Sequence, residues 1–523
     1  MSRPTAPAVD KVVLTNRGAL EAKYGRRLGA VDDAFAGLVD ADRGRGLKTM
    51  VLAVDDVAAM ERLGGRAVTD PADAAQCKAA VDAVHHRLAP DYLLLVGSTD
   101  VVPHQPLRNP VHDGVNDVDE LAPSDLPYAC NAPFSEDPTN FIGPDRVVGR
   151  LPDVTGAKDP AVLIKLLQAA ASWTSRPRSD FEDHLGITAK AWEGSTALSL
   201  GKLFGAAEIH TSPAEGPAWT AARLQRRIHF INCHGAEGDP QFYGQHGTDY
   251  PVSLRSADVT GHVAAGTVVA AECCYGAQLW AAGPGDGEPL AMAYIGDGAA
   301  AFFGSTTIAY GPANANGDAD LICEYFLEGV LAGASLGRAA LEARQRFVHG
   351  DTVLSPVSTK TLAQFQLLGD PSVCPVLAAG PARGQRAATS ARRARRARLL
   401  EHAIANLRDT STTTPAAATD RAVPPVPMAA DLDVLADLPP LAATSVKLFS
   451  VAPPPLAGVL PPPPQAALDA EARIRVVLGR SLTQPTSRVT RSVAPPAGLT
   501  DITAVEVREQ DGRIVTRRVL SSR

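Results

Sequence analysis

The sequence predicts an α/β fold, a mostly parallel β-sheet flanked by helices. Short apolar runs recur up to about residue 380. Several are apolar at successive positions, so both of their faces are buried, as in interior strands of a parallel sheet covered by helices. Between them lie Ala-rich stretches with helical spacing, and this alternation is what a helix-covered parallel sheet requires.

In chain order, the predicted strands are Thr49–Val54 (TMVLAV), Tyr92–Val96 (YLLLV), Ile187–Ala191 (ITAKA), Ile228–Asn232 (IHFIN), Thr267–Ala271 (TVVAA) and Ala299–Phe303 (AAAFF). Helices are predicted at Ala74–Leu88, Pro160–Ser175, Ala319–Leu331 and Leu336–Val348. Asp318 and Asp320 open the third of these, where acidic side chains favour a helix N-terminus. Beyond about residue 380 the character changes. Residues 383–398 are rich in Ala and Arg and lead into LLEHAIANLRD, which reads as a basic helix. A Thr/Ala-rich stretch and two proline clusters, Pro453–Pro455 and Pro461–Pro464, read as linker. Order returns as ITAVEV and RIVTRRVL, two strands joined by a turn around Asp511-Gly512.

The chain has 523 residues, 45% hydrophobic and 20% charged, which suits a folded protein with a large core. A net charge of −7 excludes a nucleic-acid-binding polycation. Seven cysteines, an odd number with two adjacent, do not make a secreted disulfide framework. No signal-peptide-like segment opens the sequence, and no apolar run reaches the roughly 18 residues of a membrane span. A reducing, cytoplasmic location without membrane partners is therefore the expectation.

Two strand ends carry the candidate chemistry. RIHFINCHG runs from an apolar strand into His234 and Gly235, and GTVVAAECCYG runs from another into Glu272, Cys273 and Cys274. Functional groups of open α/β sheets gather beyond the carboxyl ends of strands. A thiol is only slightly ionised near neutrality, so it needs a base, and His234 supplies one that also protonates a leaving amine. Gly235 lacks Cβ, which lets its N–H approach a substrate carbonyl; with the N–H of Cys274 it would form an oxyanion hole. Two other readings stand beside this one: buried structural cysteines, and a zinc site built from Cys233, His234, Cys273 and Cys274. The zinc set lacks CxxC spacing, and adjacent ligands are hard to fit around one tetrahedral ion. His246 in YGQHG is a second candidate base, His229 a core histidine, and Asp100 and Asp370 structural turn residues.

The pair of strands ending in His-Gly and in Cys resembles the active-site signature of caspase-fold cysteine peptidases, and ECCYG resembles their Cys-x-Gly motif, which selects Cys274 over Cys273. Further segments resemble the gingipain branch, in its order: DYLLLVGSTDVVPH (Asp91–His104), SDLPYAC (Ser124–Cys130), DRVVGRLPDVT (Asp145–Thr155), GDGAAAFFGSTTIAYG (Gly296–Gly311) and FQLLGDPSV (Phe365–Val373). The resemblance implies a caspase–haemoglobinase fold with an N-terminal α/β subdomain at residues 1–158 and a catalytic one at 159–380. It implies a cysteine endopeptidase acting on protein or peptide substrates, with no cofactor apart from the Ca²⁺ that some relatives bind. It also places Glu193 where an acid orients the catalytic His, Glu272 and Tyr275 in the substrate pocket, and Tyr310 where an aromatic covers the P1 side chain. The family's P1-reading Asp has no counterpart in STALSLGKLFGAAE; a basic P1 residue is the first expectation by analogy, with Asp318 and Asp320 as possible sources of charge, and Asp at P1 is the second.

The resemblance ends before the C-terminal third, divided here into a linker at 381–465 and a small β-containing segment at 466–523. Arg383, Arg386, Arg392, Arg393, Arg395, Arg396 and Arg398 form a solvated basic helix face or a processing site for an upstream protease. In the second case the C-terminal segment restrains the active site until it is cut, as in a zymogen of a bacterial stress or immune cascade. An inactive caspase-like scaffold is the alternative to an enzyme.

Overall fold

The computed structural model describes residues 9–205, 208–283, 285–350, 353–377, 416–420, 441–451, 472–481, 499, 501–510 and 513–523. Its strands that matter below are β1 (Lys11–Thr15), β2 (Thr49–Ala53), β3 (Tyr92–Val96), β4 (Val148–Leu151), β5 (His184–Ala189), β6 (Ile209–Ser212), β7 (Ile228–Asn232), β8 (Val268–Ala271), β9 (Ala301–Ser305), β10 (Tyr310–Gly311), β11 (Phe365–Leu368), β12 (Leu441–Val451), β13 (Ala472–Ser481), β14 (Ile502–Gln510) and β15 (Arg513–Ser522). The helices are α1 (Leu28–Gly44), α2 (Ala161–Ser172), α3 (Glu193–Phe204), α4 (Asp318–Leu331), α5 (Leu336–His349) and α6 (Pro356–Gln364). The predicted helix Ala74–Leu88 is also present, with Asp73 accepting the Gln76 N–H as its N-cap.

One ten-stranded sheet organises the molecule, in the order β2-β1-β3-β4-β11-β9-β8-β7-β5-β6. Pairing is parallel throughout except where β11 meets β9. The two halves therefore run in opposite directions and present their carboxyl ends on opposite edges. In the second half, β7 and β8 are parallel neighbours with Ile231 opposite Ala271, so both chains leave the sheet side by side at its carboxyl edge. Alternate residues of β7 and β8 face opposite layers. Ile231, Val269, Ala271 and Cys273 join one core with α1 and α2, while Phe230, Val268, Ala270 and Cys274 join another with α4, α5 and α6. Both faces are thus covered, which is why these strands read as continuous apolar runs.

The predicted strand at Ile187–Ala191 lies earlier, at β5, because Lys190–Trp192 turns into a short 3₁₀ helix that starts α3. Strands β1, β4 and β11 and helix α1 add to the predicted set. The C-terminal region departs most from expectation. β14 and β15 pair antiparallel as predicted, with Gln510 opposite Arg513; the turn at Asp511-Gly512 lies outside the described residues. They belong, however, to a seven-stranded sheet running β10-β15-β14-β13-β12 and on through Ala416–Asp420 to Val353–Leu354. β12 lies inside the stretch expected to be linker. Phe449, Ile474, Val476, Leu478, Ile502, Ala504 and Leu520 are buried in the same core as α4, α5 and α6. This sheet is part of the body, not an appended cover. The arginines from Arg383 to Arg398 and both proline clusters lie outside the described residues.

Buried ion pairs brace the first predicted subdomain segment, and one of them, Lys11 with Asp370, ties it to the second. Arg150 on β4 bonds both oxygens of Asp125, at 2.8 and 2.6 Å, and the carbonyls of Gly97 and Val102. Burial alone would raise Asp125, but the charge and hydrogen bonds of Arg150 outweigh it and hold the carboxyl below its usual range. Asp370 accepts from Lys11 and from the Ser372 N–H, so it staples β1 to the turn after β11. Asp100 pairs with Lys23 and accepts the Gly156 N–H. Because removing one partner strands the other charge in the core, Asp125→Ala is expected to lower stability by about 3–5 kcal/mol. Urea unfolding of the two proteins followed by tryptophan fluorescence measures this, and a loss under 1 kcal/mol would contradict a buried, fully paired Arg150.

Candidate active site

After β7 the chain makes a two-residue bridge, His234–Gly235, which pairs antiparallel with Gln241–Tyr243. This fixes Gly235 against the turn after β8. A Cβ on Gly235 would lie 1.9 Å from the Cys274 carbonyl oxygen, so only glycine permits the approach. The amides of Gly235 and Cys274 converge on one acceptor, the carbonyl oxygen of Arg523, at 3.4 and 3.1 Å. The Arg523 N–H donates to the Ala309 carbonyl at 3.0 Å, and the strand behind it pairs antiparallel with β10, Ser522 opposite Tyr310 and Ser521 opposite Gly311.

The Arg523 side chain is fully buried. Its Nη2 donates to the Pro312 carbonyl at 2.8 Å and to both oxygens of Asp320 at 3.2 and 3.3 Å, and reaches Ser195 Oγ at 3.5 Å. Glu272 lies 4.0 Å from Nε, and the guanidinium sits 4.5 Å from the centre of the Trp192 ring. Burial raises Glu272 and Asp320 together, and Arg523 opposes both. Two buried carboxyls around one guanidinium are electrically balanced when they share one proton between them.

His234 is also fully buried, its ring tilted against that of Trp192 with centres 4.3 Å apart, and 5.4 Å from that of Tyr250. Its Nε2 lies 2.9 Å from Gln245 Oε1. The Gln245 amide nitrogen donates to Tyr250 Oη at 3.0 Å and reaches Asp501 at 3.4 Å, while Tyr250 donates to Asp501 at 2.9 Å. With Gln245 presenting its oxygen, Nε2 carries the hydrogen and Nδ1, which has no protein partner, carries the lone pair. Burial pulls His234 down to about 4, against the Gln245 hydrogen bond and the charge of Asp501. The Cys274 thiol faces residue 309, 3.3 Å from its N–H and 3.6 Å from its carbonyl oxygen. Burial pushes it up to about 12, the Ala309 backbone opposing. No hydrogen bond joins thiol and imidazole, so with Arg523 seated the two are a neutral pair.

The other expected residues are distributed differently. Glu193 does not orient His234: at the first turn of α3 it pairs with Lys190 and is about half exposed, 47%. Gln245 holds the imidazole instead. Tyr310, expected to cover a P1 side chain, instead donates its hydroxyl to Asp117 at 2.9 Å beneath Lys360, and the ring against the Arg523 guanidinium is that of Trp192. Tyr275 donates to Asp119 at 2.8 Å, beside the pocket and not inside it. Glu272 lies in the pocket, and Asp320 both caps α4 through the Gly317 N–H and meets the guanidinium. Cys233 bonds Ser253 and Cys273 the Ile231 carbonyl, in the layer opposite Cys274, so the proposed zinc ligands do not converge. Among the described residues no group of His, Cys, Asp and Glu is arranged to hold a metal ion. His229 bonds Tyr294 Oη in the core, and His246 is exposed in a bridge to Asp249. Trp192, Gln245, Asp501 and Arg523 went unnoticed in the sequence. Trp192 and Gln245 adjoin Glu193 and His246, which did attract notice, but nothing local marks Asp501 or Arg523.

No protein-family model matches the chain, and no curated protein matches it. Among solved structures, a chain of the Saccharomyces cerevisiae separase–securin complex matches with 15% identity and a TM-score of 0.28, over 44% of this chain and 14% of that one. The match spans about one-seventh of that chain's length. Among the described residues no helix is long and apolar enough to cross a membrane.

A thiol raised to about 12 is almost entirely protonated at neutral pH. Iodoacetamide labelling of Cys274 in the full-length chain should therefore climb steadily between pH 7 and 9 without a plateau, because the thiolate fraction keeps rising tenfold per unit below its pKa. Peptide mass spectrometry follows the rate; a plateau below pH 8 would show a preformed thiolate.

Proposed function

We propose that this chain is a cysteine endopeptidase with a caspase–haemoglobinase-like arrangement, cleaving after basic residues. The observation that carries the reading is the seat of Arg523. A main-chain carbonyl oxygen accepts from two backbone amides next to a cysteine, while the basic side chain of the same residue enters a pocket with two buried acids. That is the geometry an acyl-transfer site offers a substrate's P1 residue.

In this mechanism the scissile carbonyl replaces that of Arg523, and the amides of Gly235 and Cys274 stabilise the oxyanion. Cys274 Sγ rotates from Ala309 and attacks the carbonyl carbon, and its proton passes to Nδ1 of His234. Because thiol and imidazole are neutral beforehand, deprotonation accompanies attack, as general-base catalysis requires. His234 then gives the proton to the leaving amine, and water hydrolyses the thioester. Gln245, backed by Tyr250 and Asp501, is a positioning residue that selects the tautomer. Asp320 and Trp192 read the P1 charge. An inactive scaffold using the same groove for binding alone is the reading favoured by a neutral thiol that bonds Ala309 and not His234.

The assay uses the full-length chain carrying Arg518→Ala and Arg523→Ala, which empties the pocket and loosens the strand leading to it. Aminomethylcoumarin peptides should be cleaved with Arg favoured over Asp at P1 by at least about 100-fold in kcat/KM, and adding Cys274→Ala or His234→Ala should remove about 1000-fold or more. Equal rates on Arg and Asp would sink the basic preference. No turnover, together with no labelling of Cys274 by an arginyl acyloxymethyl ketone, would leave the scaffold reading.

A further inference from the structure

Resting on that reading of the site, we infer that the edge of β10 is a strand-addition groove for an extended peptide with arginine at its buried end. The chain's own Ser521–Arg523 occupies it as a tethered substrate mimic and holds the enzyme off.

The groove reads the main chain and one side chain. Ser521 and Ser522 pair antiparallel with Gly311 and Tyr310, and the Arg523 N–H and carbonyl bond Ala309 and the two amides of the site. Strand addition of this kind draws affinity from main-chain bonds and specificity from pockets. The passage to the pocket is shaped for the occupant: a Cβ on Gly311 would lie 2.4 Å from Arg523 Nη2 and 2.7 Å from Nε. Any side chain there would close the way to Asp320.

The occupant is also anchored from behind. Arg518 on β15 pairs with Asp318 at the start of α4 and with Glu506 on β14 at 3.3 Å, and Glu506 accepts the Val357 N–H at the start of α6. Ser522 Oγ accepts the Ile502 N–H at 2.9 Å, and Leu520 is buried in the shared core. A segment tethered this way competes at a high effective concentration, so an incoming peptide must displace it. Cleavage among Arg383–Arg398 leaves β15 paired with β14 and β10, so it does not by itself empty the groove. Release requires the last strand to peel away.

The test compares wild-type chain with Arg518→Ala/Arg523→Ala, using a fluorescein-labelled VLSSR peptide and anisotropy. The double variant should bind it at least tenfold more tightly than wild type, and should cleave an arginyl peptide substrate with at least tenfold higher kcat/KM. Adding Gly311→Ala should abolish peptide binding while leaving the Asp320 helix cap untouched. If the double variant melts below assay temperature, Arg518→Ala alone should move both readouts the same way by about threefold. Equal binding and equal turnover in wild type and variant overturn the inference while leaving the peptidase reading standing. Peptide binding as expected with no turnover in any form keeps the groove and removes the peptidase.

Discussion

Parallel pairing of β7 with β8, Ile231 opposite Ala271, is the constraint on which the site depends. Because neighbouring strands are only about 4.8 Å apart, two chains leaving the same edge in register deliver their next residues to one place. Gly235 and Cys274 then point their amides at a single oxygen. A side chain at 235 would occupy the position of the Cys274 carbonyl, so this convergence tolerates nothing larger than hydrogen. Both faces of the two strands are covered, one by each core.

Burial sets the electrostatics. Every ionisable group around Arg523 is out of water, and each moves toward its neutral form: His234 down, Cys274, Glu272 and Asp320 up. The guanidinium is the one permanent charge there, and a carboxylate beside it restores neutrality. Two acids can therefore share the pocket beside a single cation, because burial resists ionisation of both at once. The same desolvation makes the thiol–imidazole pair neutral, so the site stores no thiolate that would react with adventitious electrophiles.

The C-terminal sheet adds a further condition. Its inner residues share one core with α4, α5 and α6, its Asp501 joins the network behind His234, and its Glu506 caps α6. The same region thus supplies Asp501 to the network behind His234 and Arg523 to the pocket beside it. Separating those two effects requires single side-chain changes at the occupant, since removing whole strands would expose the core.

The sequence by itself determined the α/β class, the central strands and the two strand ends bearing His234, Gly235 and Cys274. Those signals are local: an apolar run buried on both faces, and a turn that needs glycine, leave their mark within a few residues. Tertiary structure decided the rest. Which of the candidate acids meets the guanidinium, Asp320 and not Asp318, which aromatic covers it, Trp192 and not Tyr310, and which side chain bonds His234, Gln245 and not Glu193, all depend on how distant helices and loops pack. The occupant lies farther still, since Arg523 is 249 residues from Cys274 in sequence and within 3.1 Å of its amide in space. Composition read residues 381–465 as linker because their prolines are conspicuous, whereas β12 within them buries Phe449 only against a core built by the preceding chain.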